Sequence, residues 1–98
     1  MEPIRVFKRR EEGSTWEYTV LLGHDSRDVG FLVKIDRQYW EYLTDGRESP
    51  EQLVRKCFRF LLKKQSKYSI LRSFDLREID ELFPEFKTEI KKTALSAP

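Results

Sequence analysis

Cysteine and histidine each occur once in the 98 residues, as Cys57 and His24. A single cysteine excludes a disulfide within the chain and points to a reducing compartment. A zinc site draws about four ligands, chiefly from His and Cys. One of each, on separate segments, cannot supply that set, so no metal and no cofactor is expected. His24 sits among Asp25, Ser26 and Asp28, where it reads as a solvated turn histidine. Long apolar runs are missing too. The longest are three residues, as in Phe31-Leu32-Val33, far below the roughly 20 that a spanning helix needs. The opening MEPIRVFKRREEG has no apolar core of the secretion-signal kind. These absences predict a chain that avoids the membrane and stays in the cytoplasm.

Glycine is scarce as well. Gly13, Gly23, Gly30 and Gly46 stand alone, so no glycine-rich phosphate loop exists. The adjacent acids Glu11-Glu12 and Asp80-Glu81 are ordinary surface pairs unless a cleft shifts their pKa values. A catalytic Cys–His dyad would require two segments to meet for which the sequence gives no reason. The expectation is a protein that is not an enzyme.

What is present is enough for one folded domain, expected over residues 1–93 with a flexible tail at 94–98. Aromatic residues make up 13% and hydrophobic residues 39%, sufficient to build a single core. Charged residues reach 37%, with a net charge of only +2. Their placement is uneven. Residues 51–74 hold seven Lys or Arg and one acid, whereas residues 75–98 hold six acids and four bases.

The pattern along the chain changes once. Up to Ile35 the period is two. Trp16, Tyr18, Val20 and Leu22 share one strand face, with Glu17 and Thr19 on the other. Ile4 to Arg9 and Phe31 to Ile35 read as the flanking strands, joined through turns at residues 11–14 and 23–28. Beyond Asp36 the signals are helical. Asp36 caps a short helix carrying Tyr39, Trp40 and Leu43, which Asp45-Gly46 ends. Ser49-Pro50-Glu51-Gln52 is a capping box with proline at the first helical position. It predicts a long helix from Pro50 to about Ser66. Residues 68–74 fit a short strand or a connector equally. Asp75 caps another short helix, and Pro84 begins a last one carrying Phe86 and Ile90. Strands followed by helices predict an α+β fold. Its expected form is a three-stranded antiparallel meander with three or four helices on one face, the long one central. The expected core runs from Val6 and the Trp16 face through Phe31, Val33, Ile35 and Leu43 to Leu53, Cys57, Phe58, Leu61, Phe74, Ile79 and Leu82.

Two surfaces stand out. On the long helix, apolar residues from Leu53 to Leu62 cover about half of the wheel. The rest is basic: Arg55, Arg59 and Lys63 form an i, i+4, i+8 row, with Lys56 and Lys67 beside it. Such a row suits a phosphate backbone, or it is a solvated face balanced by the acidic C-terminal segment. No zinc finger, GXXG loop or RRM-type aromatic signature accompanies it. The second surface is aromatic. Tyr39, Trp40 and Tyr42 point three ways from one short helix, so Trp40 or Tyr42 is a candidate protein interface.

The runs Tyr39-Trp-Glu-Tyr-Leu-Thr-Asp-Gly, Ser49-Pro-Glu-Gln-Leu-Val-Arg-Lys-Cys-Phe-Arg-Phe-Leu-Leu, Ser69-Ile-Leu-Arg-Ser-Phe-Asp-Leu and Leu82-Phe-Pro-Glu-Phe resemble those of a group of small bacterial proteins with no assigned activity. The resemblance spans residues 30–90. It implies a stand-alone bacterial cytosolic protein and carries over no functional residue. The expectation for function is therefore a non-enzymatic protein-interaction module, docking to another protein or to itself as a homodimer. The alternative is RNA or DNA binding through Arg55, Arg59, Lys63 and Lys67.

Overall fold

The structure, a computed structural model, describes residues 3–23 and 29–92. Strands β1 (Ile4–Glu12), β2 (Thr15–Leu22) and β3 (Val29–Asp36) form an antiparallel meander. Helices α1 (Arg37–Thr44) and α2 (Pro50–Lys64) follow, then strand β4 (Ser73–Asp75), α3 (Leu76–Leu82) and α4 (Phe86–Lys92). The class is α+β, and the sheet has four strands in the order β1-β2-β3-β4. The fourth strand corrects the three-stranded expectation. Three residues are too few for a visible period, and β4 pairs parallel to β3, placing Phe74 beside Val33. The turn at residues 24–28, with His24, and the tail lie outside the described residues.

Side-chain alternation fixes which face is covered. Trp16, Tyr18, Val20 and Leu22 are buried, as are Val29, Phe31, Val33 and Ile35. The intervening side chains of both strands are half-buried or exposed, so the helices cover a single face. The β1–β2 turn needs only Gly13 and Ser14, with Gly13 at a positive φ of 60°. β1 is a sheet edge, and it is guarded. A bulge interrupts its register between Lys8 and Arg10, exposed basic side chains follow, and the Arg55 guanidinium donates to the Ile4 carbonyl.

The predicted caps at Asp36, Asp45, Ser49 and Asp75 are formed, whereas α2 ends at Lys64 instead of about Ser66 and α4 begins at Phe86 instead of Pro84. The Asp36 carboxylate accepts from the Tyr39 amide at 3.2 Å, and Asp45 ends α1 in the left-handed region. Both halves of the Ser49/Gln52 box are formed. Asp75 and Glu78 form a second such box on α3.

The core departs from expectation in three places. Leu82 is 60% exposed instead of buried. At 100° per residue, Leu76, Ile79 and Phe83 share a face of α3, and Leu82 lies roughly 90° from its centre. Val6 is only partly buried against the core, because β1 lies at the sheet edge. Lys56, expected beside the exposed basic row, is instead buried. Its Nζ meets Glu48 Oε1 at 2.7 Å, and both side chains are under 5% exposed. Glu48 is held in place by its own carbonyl, which accepts from Trp40 Nε1 at 2.8 Å. Ile4, Val29, Val54, Phe60, Ile70, Leu76, Phe86 and Ile90 complete the core.

Breaking one partner of a buried ion pair strands the other charge away from water. Lys56→Met should therefore cost about 3–5 kcal/mol in a denaturant titration. Combining it with Glu48→Leu should recover most of that loss, since no charge then remains buried.

Candidate interaction surface

The helix caps aim α2 across the inner sheet face, and that placement disperses the basic row. Arg55 is half-buried and spent on the Ile4 carbonyl of β1. Arg59 and Lys63 are exposed. They line a groove of about 410 Å³ between α2 and α4, floored by Phe60 and Ile90. Neither has an ion-pair partner among the described residues. Lys64 lines the same groove but is bound to Glu85 at 2.9 Å, and this bond holds the Glu85 carboxyl below its usual pKa. Glu89 lines the groove as well. Lys67 is half-buried, with its ammonium 5.3 Å from the centre of the Tyr68 ring. The four predicted contacts thus point to separate places, and carboxylates intervene in the one groove that two of them share.

The aromatic pair also divides. Trp40 packs edge-on against Trp16, with ring centres 5.4 Å apart. Its indole N–H is committed to Glu48, so it is a structural ring at the α1–sheet boundary. Tyr42 is 49% exposed. Its ring is stacked on Tyr39 and carries the Lys91 ammonium 4.0 Å from its centre, so part of its face is already taken by α4.

A third surface went unnoticed in the sequence. Where α2 ends, the chain makes a tight turn, with the Ser69 amide donating to the Ser66 carbonyl at 3.0 Å. It then runs to β4 and α3. Between these pieces lies an apolar cleft of about 280 Å³. Leu61, Ile70, Phe74 and Ile79 form its floor, and Leu71 and Leu82 stand at its sides. Leu71 is 55% exposed, and Tyr68 nearby is 72% exposed. Two large apolar side chains, each more than half exposed on the same cleft, are more than scattered exposure explains. A helical wheel of α3 alone would have flagged Leu82. Leu71 lies in irregular chain, where no period exists to read.

Cys57 is buried, and desolvation pushes its thiol well above the usual range. The Tyr39 hydroxyl is buried without a hydrogen-bond partner among the described residues. Among those residues no group of three or more His, Cys, Asp or Glu is placed to hold a metal. No helix among them is long and apolar enough to cross a membrane. Comparison with protein-family models, curated proteins and solved structures returned no match.

Two measurements check this reading of the buried groups. Cys57 should be unreactive toward a disulfide reagent in native buffer and react fully in denaturant, because thiolate formation requires opening the core. Tyr39→Phe should stabilise the fold by about 1 kcal/mol, because an unsatisfied buried hydroxyl is removed with little change of shape. Rapid native labelling, or a loss of stability in Tyr39→Phe, would contradict these assignments.

Proposed function

We propose that this protein is a small interaction module without catalytic chemistry, docking a protein surface through the apolar cleft at the end of α2. The observation that carries the reading is the exposure of Leu71 and Leu82 at the sides of that cleft. Large apolar side chains beside a concavity are what a protein interface buries at its centre. A core that merely needed closing would have turned them inward.

The nucleic-acid alternative draws less support. A phosphate track needs cations in a continuous line. Here Arg55 is bonded to β1, Lys64 to Glu85, and Lys67 lies over Tyr68. Only Arg59 and Lys63 remain together, with Glu89 lining the same groove. That leaves two contacts, where the salt-dependent affinity of a nucleic-acid binder commonly draws on about 6–10.

Affinity capture on the tagged chain separates the two readings, with a differently tagged copy of the chain included among the preys. Leu71→Glu combined with Leu82→Glu should abolish capture, whereas Arg59→Glu combined with Lys63→Glu should leave it intact. The reading fails if the apolar double variant captures everything that the wild type does. It also fails if mixed RNA and DNA oligonucleotides bind at low salt and lose affinity through Arg59→Glu and Lys63→Glu.

A further inference from the structure

We infer that the occupant of the cleft is a second copy of this chain, joined across a two-fold axis. The inference rests on the interaction-module reading and names its partner. Two complementarities on the surface support it.

The first is shape. The same patch carries a hole and the knobs to fill one. The hole is the cleft floored by Leu61, Ile70, Phe74 and Ile79. The knobs are Leu71 and Leu82, more than half exposed at its sides. An isologous interface requires a patch that fits itself. Knobs beside a hole meet that requirement, because each copy can seat its exposed leucine in the other's cleft.

The second is charge. Ser69, Ile70 and Leu71 form one side of the cleft. The segment around them, residues 66–73, has no acid and carries Lys67 and the exposed Arg72, whose guanidinium lies 5.9 Å from the centre of the Phe31 ring. Helix α3 forms the other side. It brings Glu78 to the cleft and Glu81 one turn further on. The one cation of α3, Arg77, is held by Asp75 at 3.2 Å. The apolar centre is therefore flanked by a basic side and an acidic side. A two-fold rotation lays the basic side of one copy on the acidic side of the other, and the reverse. A foreign partner would have to reproduce this layout, whereas a second copy possesses it.

Sedimentation velocity from micromolar to millimolar protein tests the inference. The wild type should dimerise, more weakly as salt rises, because the flanking pairs are exposed to screening. Leu82→Glu should be monomeric throughout with an unchanged circular dichroism spectrum, since that side chain is exposed. Arg72→Glu and Glu81→Lys should each be monomeric alone, because each places like charges across the axis twice. Mixed together they should form a one-to-one dimer, in which both contacts pair opposite charges. That recovery also shows that both variants are folded. A wild type monomeric at millimolar concentration, a dimer untouched by Leu82→Glu, or a mixture that stays monomeric would each overturn the inference. Capture of a different protein through Leu71 and Leu82 by a chain that never self-associates would overturn the dimer and leave the interaction module standing.

Discussion

Phe58 and Phe60 leave α2 on nearly opposite sides, and both rings are buried. Phe58 meets Phe31 of the sheet at 5.1 Å and Phe74 of β4 at 5.9 Å. Phe60 meets Phe83 at 5.7 Å and Phe86 at 5.3 Å. A helix buried on two sides cannot be positioned by one amphipathic stripe. It acts as the axle between the sheet and the C-terminal helices. The short elements depend on it, because helices of seven residues do not persist alone in water.

This two-sided burial decides the fate of the charges on α2. A wide apolar arc leaves a narrow polar one, and residues at its margins are drawn inward. Lys56 lies at such a margin, so it requires Glu48. Arg55 lies near the other and finds the Ile4 carbonyl. Arg59 and Lys63, mid-arc, reach open solvent with no ion-pair partner among the described residues. What looks in one dimension like a basic stripe is in three dimensions a set of separate structural bonds with two free cations between them. The acidic C-terminal segment contributes less neutralisation than its composition suggests. Glu85 reaches Lys64, but Asp80 pairs with Lys87 within its own segment.

Sequence legibility followed the length of the repeating pattern. The Trp16 to Leu22 face, the Ser49/Gln52 capping box and the Asp75 cap were readable, because each rests on local spacing or on a side chain bonding its own helix end. β4 was not, because three residues carry no period and their pairing partner lies about forty residues upstream. The Lys56–Glu48 pair was hidden for a related reason. Nothing local marks Glu48 as buried until Trp40 is seen to hold its carbonyl. Of the site residues, the basic row was legible as composition but not as geometry. The apolar cleft was legible only in Leu82, and there the spacing of Leu76, Ile79 and Phe83 spoke against the core assignment it received.

The cleft lies where it does because α2 stops. Lys63 and Lys64 favour the helix C-terminus through the dipole, and the chain then turns at Ser66 to reach β4. The bend leaves the last turn of α2, the 66–72 segment and α3 converging without a cover. Leu61 and Ile79 are buried at the bottom of that junction, so the fold is complete beneath it. Leu71 and Leu82 add apolar surface above a floor that is already closed. More than half exposed at a concave junction, these two side chains gain less from the monomer's own core than full burial would give them.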